Sequence, residues 1–480
     1  MRRAVLAALV LAACAVLAWQ LAVTAQERML LGDFRAFYCG GATLLHGANP
    51  YAAAPLLRCE QVPQPFGLHT ARDRVDLPAP FPGYALTAFA LFALLPYPLA
   101  AIAWFVLLLA CTALACVFTA RLIGRPPFVA LTLLAVAFSI AVIPYGELAP
   151  IVLAALTGGA LALRRGSRVA FVAALAVIAL LPHVALPVFL TLFIWNRAAR
   201  IPVALLCVAL AALDLATGGP QLAVSYFTRV LPDHAASEVG FITQYSMTWL
   251  AQGLGAPDRV ALLAGNISYL VMAVLGVWLA GAAARWLRDP AFLVLVPAAF
   301  AVTFGSFIHY SEITLAFPAA LLLYARTQGA PRFLAALSLV LIALPWQSIV
   351  TQPALMVAVV GGAIAIASVV LRSSLQFSLR AGLGAALFCA ACIILAWYLG
   401  PQTAPHASAA TFDPALAEAS WAAHISDQTS SSGLVWWIPK LPTWIGLLLL
   451  SSSVAFVVIG RRGYDASALD GANAPSSANA

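Results

Sequence analysis

Long apolar runs dominate this chain and decide what it can fold into. A helix needs about 20 residues to cross the hydrocarbon core of a membrane, and many runs here are near that length. They are rich in Ala, Leu and Val and lack the alternation of barrel strands, which favours an α-helical bundle. Only 9% of the residues are charged, whereas soluble proteins carry roughly 25%. We therefore predict an all-α polytopic membrane protein.

The apolar segments fit about 12–14 crossings, because two of them are long enough to be broken in two. Proline pairs interrupt both of these, 83–120 and 168–196. The predicted segments are 3–24, 83–120, 127–143, 147–163, 168–196, 199–215, 262–283, 290–306, 311–326, 333–349, 354–371, 381–399 and 442–460. We predict one transmembrane domain over 1–460, followed by a small, polar, disordered cytoplasmic tail at 461–480.

Arginines mark one side of the predicted bundle. If 83–120 crosses once and 168–196 forms a re-entrant pair, a cytoplasmic N-terminus places the short basic turns inside, as the positive-inside rule expects. These turns carry Arg121 and Arg125, Arg164, Arg165 and Arg168, Arg197 and Arg200, Arg285 and Arg288, Arg326 and Arg332, Arg372 and Arg380, and Arg461 and Arg462. This pattern explains the net charge of +8 without a nucleic-acid partner.

The opposite, extracytoplasmic face collects the long connections. They are 25–82, 216–261 and 400–441, joined there by the short turns 144–147, 181–184 and 307–311. This asymmetry predicts that the protein works on the outer side of the cell membrane. Cys39 and Cys59 lie in the first loop and either pair there, if the compartment is oxidising, or stay unpaired. The N-terminal run exceeds the roughly 7–15 apolar residues of a signal peptide, so a retained first span is favoured over a cleaved leader.

Polar groups gather in the stretch 32–51, directly after the first span. Apolar residues recur there at helical spacing and predict a short amphipathic helix along the membrane surface, ending near Gly47. They are Phe34, Phe37, Tyr38, Gly41, Leu44 and Leu45. Asp33 falls at the predicted N-cap, where its carboxylate either only caps the helix or acts as a base or hydroxyl-orienting group at a cavity mouth. Arg35 either binds a phosphate or faces lipid headgroups.

Three outer turns carry further ionisable side chains. Glu147 is an acid beside a membrane segment, a position that is rare and often functional, although a turn carboxylate in water fits equally well. His183 interrupts a long apolar run, and a structural histidine is favoured there over a catalyst. His309, with Tyr310 and a nearby acid, suits proton transfer at a membrane edge, and interfacial anchoring is the alternative.

Common cofactor and metal motifs are missing from the sequence. It contains no Walker motif, GxGxxG, HExxH, paired CxxC ligand set or DxD acid pair. We therefore predict no metal and no cofactor, and no nucleotide-sugar donor held through a metal.

The stretch after the first span resembles the polyprenol-phosphate-mannose-dependent mannosyltransferases of glycosyltransferase family 87, membrane enzymes of the GT-C fold. The resemblance covers about residues 1–330. The matching residues are Asp33, Phe34, Phe37, Tyr38, Gly41, Leu44, Leu45, Gly47, Asn49, Pro50 and Tyr51, the proline-rich stretch 81–100, and Ser306, His309 and Tyr310. Glu147 stands where the family commonly has glutamine, and 181–183 lacks the family's common Lys-Pro.

The resemblance implies an inverting, metal-independent transfer of a sugar, mannose by that likeness, from a polyprenyl-phosphate donor to an extracytoplasmic lipid or glycan acceptor. Asp33 and His309 are the implied catalytic pair, one of which deprotonates or orients the acceptor hydroxyl. The implied substrate-binding residues are Arg35, Tyr38, Asn49, Tyr51, Glu147, His183 and Tyr310, with Arg35 or His183 stabilising the leaving phosphate. The connection 216–261 is implied to contact the acceptor through Asp233, His234, Gln244 and Tyr245. The implied partners are membrane lipids, the donor and the acceptor, and the lipid-linked sugar is a substrate, so no cofactor is needed.

A polytopic membrane transporter or lipid flippase is the alternative function. Such a protein is expected to carry charges or broken helices near the midplane and two related halves. The spans here carry almost no mid-membrane charge, and no internal repeat is visible. A non-catalytic assembly scaffold is the third hypothesis, and it predicts that neither Asp33 nor His309 affects function. The sequence has no signal for the oligomeric state.

Overall fold

The computed structural model describes residues 30–61, 77–125, 142–241, 243–343, 387, 391, 412–429 and 440–472. Within these residues the regular structure is helical, and extended segments meet only in isolated bridges. Four described helices are long and apolar enough to cross a membrane, namely Tyr97–Ile123, Arg197–Ser237, Asp258–Trp286 and Leu441–Ile459. The predicted all-α polytopic fold is confirmed. The predicted segments 3–24, 354–371, nearly all of 381–399 and most of 127–143 lie outside the described residues.

The described helices are numbered in the order in which they occur along the chain. They are α1 (Gly32–Leu45), α2 (Ala53–Glu60), α3 (Gly83–Phe92), α4 (Tyr97–Ile123), α5 (Val142–Tyr145), α6 (Ala149–Arg165), α7 (Arg168–Ile178), α8 (Pro182–Trp195), α9 (Arg200–Ser225), α10 (Leu231–Ser237), α11 (Met247–Gly253), α12 (Asp258–Trp286), α13 (Phe292–Ala301), α14 (Phe317–Arg326), α15 (Gly329–Ala343), α16 (Ala417–Thr429) and α17 (Leu441–Ala472). Three short turns of other helical types adjoin them, Arg197–Ala199, Tyr226–Val230 and Glu312–Ala316.

Both long apolar segments are broken as predicted, at Pro96 and at Pro182, whereas Pro187 lies inside a continuous helix. Segment 83–120 becomes α3 and α4, and Pro96 is the N-cap residue of α4. Segment 168–196 becomes α7 and α8, and Pro182 is the first residue of α8. Proline fits these positions because the N–H it lacks would have no partner in the first turn of a helix. The second break brings His183 to one end of the bundle.

Two stretches that lie between or beyond the predicted spans contain helix. The connection 216–261 begins inside α9, which runs to Ser225 and is followed directly by a helical turn and α10. The tail 461–480 begins inside α17, which runs to Ala472. A helix bonds its own backbone internally, so it does not have to end where its apolar run ends.

The centre of the bundle is α13, in which every residue is buried. It contacts α6, α8, α12 and α14. By contrast, α4, α9 and α12 carry exposed leucine, isoleucine and valine side chains. A helix can present such a face to lipid because its backbone groups are already hydrogen-bonded.

One end of the bundle is tied together by a buried carboxylate, Asp289, between α12 and α13. Arg164 at the end of α6 donates to it twice, from Nε to Oδ1 at 3.1 Å and from Nη2 to Oδ2 at 2.5 Å. Arg326 at the end of α14 lies 3.3 Å from the same carboxylate. Arg164 also donates to the Leu122 carbonyl near the end of α4. These helix ends are the ones that the arginine pattern predicts to share one side.

Helix α1, predicted to be an amphipathic helix at the membrane surface, is enclosed by other helices. It is buried on nearly all sides, including Arg35. It contacts α2, α3, α4 and α5, which come later in the chain and which the spacing of residues within α1 cannot reveal. The disulfide between Cys39 and Cys59 joins α1 to α2. Gly41 packs against α3 so closely that a Cβ there would stand 2.5 Å from the backbone nitrogen of Ala90.

The start of α1 also differs from the prediction. Leu31 is the N-cap residue, in a left-handed conformation with φ 54°, and its N–H donates to the Pro144 carbonyl at 2.7 Å. Asp33 therefore lies in the first turn of the helix, and the prediction that it is the N-cap was wrong. The tertiary contact with Pro144 starts the helix two residues earlier than the sequence spacing indicates.

An acid inside α9 supports the start of another helix. Asp214 is buried, and its Oδ1 accepts the backbone N–H of Tyr84 at 3.0 Å. Tyr84 lies in the first turn of α3, where N–H groups have no partner within their own helix. Asp214 thus caps α3 from a different helix, which gives this acid a structural role.

Candidate functional site

Acids and histidines from separate segments meet at the end of the bundle opposite Asp289. Helix α6 separates the two ends, since Glu147 precedes its start and Arg164 lies near its end. Its 17 residues span about 25 Å at a rise of about 1.5 Å each. We call this group the His309 cluster, and it consists of Glu147, His183, Glu238, His309 and Glu312.

His309 lies in the extended connection between α13 and α14. It forms an isolated antiparallel bridge with Gln244. Its imidazole Nε2 is 3.2 Å from Glu238 Oε2, and its Nδ1 is 3.3 Å from the Thr243 hydroxyl. The His309 side chain is 22% exposed, whereas that of Glu238 is 3% exposed. The imidazole is therefore partly exposed while the acid behind it is shielded.

Glu238 follows α10 directly and has donors on both carboxylate oxygens. Its Oε2 faces His309 and accepts an N–H from Gln244 Nε2 at 3.0 Å. Its Oε1 accepts the indole N–H of Trp421 at 2.7 Å and lies 3.6 Å from His234 Nε2. These contacts fix the carboxylate against the imidazole.

A second acid–histidine pair lies beside the first. Glu312 Oε1 is 3.1 Å from His183 Nε2, and Glu312 Oε2 accepts the backbone N–H of His309 at 3.2 Å. The atoms of Glu312 and His183 are close but not aligned as a hydrogen bond, so the contact is an ion pair when His183 is protonated. The Tyr269 hydroxyl donates to the His183 carbonyl at 2.7 Å and holds the start of α8.

Glu147 enters the cluster from the turn before α6. The Ser311 hydroxyl donates to its Oε2 at 2.8 Å. The preceding Gly146 has φ 85°, and a Cβ on it would stand 2.8 Å from the Cβ of Phe34 in α1. This close contact places the start of α1, with Asp33, beside the Glu147 turn.

The charges of the cluster act strongly on one another. Burial would lower the pKa of His309, but the carboxylates of Glu238, Glu147 and Glu312 raise it to about 10. Burial would raise the pKa of Glu238, but His309 and His234 beside it lower it to about 2. At neutral pH, His309 is therefore a cation and Glu238 an anion.

Two neighbouring groups have raised pKa values. Burial raises the pKa of Glu147, against the opposing effect of the positive charge on His309. A turn carboxylate standing in water does not fit this environment. Burial, together with Glu147, Tyr145 and Asp33, raises the pKa of Tyr310 well above its usual range. Asp33 therefore lies within electrostatic reach of Tyr310, next to His309.

The other predicted binding residues hold backbone groups around α1. Their bonds run from Arg35 Nη1 to the Glu60 carbonyl at 3.3 Å, from the Tyr38 hydroxyl to the Leu95 carbonyl at 2.9 Å, from the Tyr51 hydroxyl to the Phe81 carbonyl at 2.8 Å, and from the Tyr51 N–H to Asn49 Oδ1 at 3.0 Å. These contacts fix the loop that follows α1. The roles of the four residues toward substrate stay predictions.

Lys440 binds the segment that pairs with His309. This side chain is fully buried, donates from Nζ to the Gln244 carbonyl at 2.5 Å, and lies 3.4 Å from the centre of the Trp249 ring. Gln244 was predicted to contact the acceptor, and the structure shows it linking Glu238 to His309. Lys440 was not singled out, because nothing in its local sequence points to the site.

Three further residues of the site were not among the predicted ones. Glu312 follows His309 by three residues, and that spacing was a usable signal. Glu238 and Trp421 lie far from His309 in sequence, and Trp421 is 183 residues from the acid it binds. No local pattern connects them, so only the folded chain reveals the contact.

The family model of glycosyltransferase family 87 matches residues 81–308. No curated protein and no solved structure matches the chain. The family match confirms the resemblance over that range, which includes Glu147, His183 and Glu238. Asp33 and His309 lie outside it, one on either side.

Proposed function

We propose that this chain, a membrane glycosyltransferase of family 87, moves a sugar from a polyprenyl-phosphate donor to a lipid or glycan acceptor. By resemblance to the family the sugar is mannose, and neither a metal nor a cofactor takes part. The observation that carries the proposal is the His309 cation, held by Glu238 beside the end of α1 that bears Asp33. A base for the acceptor and a cation for the phosphate are the groups that such a transfer needs.

Asp33 is the base in this proposal. The acceptor hydroxyl oxygen attacks the anomeric carbon, its proton passes to the Asp33 carboxylate, and the bond from that carbon to the phosphate oxygen breaks with inversion. The N-terminal end of a helix dipole favours a negative carboxylate, and Asp33 lies in the first turn of α1. His309 is already protonated at neutral pH, so it does not compete for the proton.

His309 acts on the leaving phosphate. That phosphate departs with the electron pair of the broken bond and gains negative charge, which a fixed cation in a shielded site stabilises. Glu238 keeps the imidazole oriented and charged, and is thus a positioning residue. His183 is a second candidate for this role, since the segment 181–183 lacks the family's common Lys-Pro and His183 contacts Glu312 in the same cluster. Arg35 has no part in this assignment, because it donates to the Glu60 carbonyl between α1 and α2.

The site is proposed to face the extracytoplasmic side of the cell membrane. The Cys39–Cys59 disulfide joins α1 to α2 next to the site, and disulfides persist in oxidising compartments. The arginine-rich helix ends around Asp289 lie at the opposite end of α6, as expected for cytoplasmic ends. Both observations support the same orientation.

The test is a transfer assay with purified protein in detergent, a polyprenyl-phosphate mannose donor and a membrane lipid extract, read by mass spectrometry. One added hexose on one acceptor is expected, and a chelator should leave the rate unchanged. Asp33→Asn and His309→Ala should each lower kcat by about 100-fold or more, with an unfolding temperature near that of the wild type. Asp413→Asn, which changes an exposed acid paired with Arg229 at 3.9 Å, is the matched control.

Two outcomes would count against the proposal. Full activity of Asp33→Asn or His309→Ala would contradict the role given to that residue. Movement of the lipid-linked sugar across a liposome membrane without a new glycosidic bond would favour a transporter instead.

A further inference from the structure

Helix α16 lies beyond the family match at 81–308, yet it reaches the His309 cluster. Trp421 on this helix is 9% exposed and donates its indole N–H to Glu238 Oε1 at 2.7 Å. Its ring packs edge-on against Phe241 with 5.7 Å between ring centres. Phe241 in turn packs against the His309 ring at 5.9 Å. Trp421 therefore contacts the acid behind His309 directly and the imidazole through one aromatic ring.

The same helix is anchored to the loop that follows α1. The Ala53 N–H donates to the Ala415 carbonyl at 2.9 Å, and the Ala417 N–H donates to the Tyr51 carbonyl at 3.2 Å. Helix α16 also contacts α2 and α10. It thus connects the loop after α1 to the acid behind the proposed cation.

We propose that Trp421 is a positioning residue for sugar transfer, which fixes Glu238 so that this acid orients His309 toward the leaving phosphate. The inference rests on the proposed function and extends the site to a helix outside the family match. Without the indole N–H, the one neighbour that Glu238 Oε1 would keep among the described residues is His234, whose Nε2 is 3.6 Å away and too distant for a normal hydrogen bond. The carboxylate could then turn away from His309.

Several elements contribute charged or polar groups to this arrangement. His234 from α10, Gln244 from the connection before α11, His309 from the connection after α13 and Trp421 from α16 face Glu238, while Glu147 and Glu312 face His309. Gln244 bonds Oε2 and not Oε1. Among the described residues, Trp421 is thus the donor at hydrogen-bond distance from Oε1.

Trp421→Phe removes the indole N–H and keeps an aromatic ring against Phe241. We expect kcat to fall about tenfold with KM for donor and acceptor nearly unchanged, because one hydrogen bond to a charged group is lost. The alkaline limb of the kcat profile should move down by about one pH unit. Trp195→Phe is the matched control, since Trp195 donates its indole N–H to the Val277 carbonyl at 2.9 Å at the far end of α8. It should change neither quantity.

A double-mutant cycle tests whether Trp421 acts through Glu238. In the Glu238→Gln background, adding Trp421→Phe should change kcat by less than about twofold, because residues of one network are not additive. A fully additive loss would overturn the inference, as would a wild-type kcat and pH profile for Trp421→Phe.

The titration of His309 itself separates this inference from the proposed function. In protein labelled with ¹³C-histidine, the His309 signal is assigned by its loss in His309→Gln, and its pKa is measured by NMR in detergent. Trp421→Phe should lower that pKa relative to Trp195→Phe, even if no glycoside forms with the donors supplied. An unchanged His309 titration would overturn the inference. A shifted titration in a protein that makes no glycoside would instead count against the proposed function alone.

Discussion

Glu238→Gln is a direct test of the charge arrangement around His309. The substitution removes the negative charge and keeps the shape of the side chain and an oxygen for the Trp421 indole. At an effective dielectric constant of about 20, unit charges 3.2 Å apart attract by about 5 kcal/mol, which equals about 4 pKa units. The rise in the pKa of His309 from 6.5 to about 10 has a similar size, since the opposing effect of burial is offset by the other two acids.

The variant should lose activity at alkaline pH and keep it at acid pH. Because burial offsets the effects of Glu147 and Glu312, removing the Glu238 charge should return the pKa of His309 to about 6.5. At about pH 9, roughly 0.3% of the variant would carry a charged His309, against roughly 90% of the wild type. We therefore expect kcat to fall about 300-fold at that pH and by only about twofold near pH 6.5.

The assay measures transfer at saturating donor and acceptor from about pH 5.5 to about pH 9.5. Glu60→Gln is the control, because Glu60 is another buried acid and accepts the Leu77 N–H at 3.0 Å in the first loop. It should keep the pH profile of the wild type. Parallel profiles for Glu238→Gln and the wild type would refute the claim that Glu238 keeps His309 charged.

The same pair should make stability depend on pH. The raised pKa of His309 means that its contribution is complete below about pH 6.5 and is lost as the pH rises through about 10. The lowered pKa of Glu238 means that its contribution is complete above about pH 4.5 and is lost as the pH falls through about 2. The difference in unfolding temperature between wild type and Glu238→Gln should therefore be largest from about pH 4.5 to about pH 6.5.

Other changes probe the parts that hold the site. Replacing Cys39 and Cys59 by serine should lower the free energy of unfolding by about 3 kcal/mol, because the disulfide closes a loop with a sequence separation of 20 residues. Denaturation in detergent measures this, and an unchanged midpoint of the unfolding transition would contradict it. Asp214→Ala should cost about 1–2 kcal/mol because α3 loses its cap, and Asp214→Asn should cost less in the same measurement. Gly146→Ala should lower kcat about tenfold or more, since its Cβ would collide with Phe34 and displace the start of α1. A wild-type kcat for that variant would show that this contact does not place the base.

Features that depend on local sequence were predictable. Proline is favoured at the start of a helix, so the breaks before α4 and α8 could be predicted, whereas Pro187 lies inside α8 and does not end it. Arginine at the end of an apolar run marks one membrane side, and Arg164 and Arg326 do meet at one end, on Asp289. Because crossings alternate, counting the crossings from the arginine pattern places Asp33, Glu147, His183 and His309 on the same side of the membrane. The structure brings Glu147, His183 and His309 into one cluster beside the start of α1.

Features that depend on packing were not predictable. The first turn of α1 is set by the bond from Leu31 to Pro144, and no pattern within the helix reports that contact. The burial of α1 comes from helices that follow it in the chain. Glu238, the partner of His309, lies 71 positions earlier in the sequence. Which acid pairs with His309 depends on where α10 ends and on the orientation of its last turn. Sequence patterns identify the face of the bundle on which residues lie, whereas packing decides which of them touch.

The close contact at Gly41 makes the position of Asp33 sensitive to the orientation of α1. At this contact the backbone of α1 lies against the backbone of α3, so no side chain can rotate away to make room for an added Cβ. Asp33 lies eight residues from this point, about 12 Å along the helix. A tilt of α1 by a few degrees about this contact would displace the Asp33 carboxylate by several tenths of an ångström. The turnover rate of Gly41 variants would therefore depend on the orientation of α1. Suppressor substitutions that restore the rate should lie on α3, the helix against which Gly41 packs.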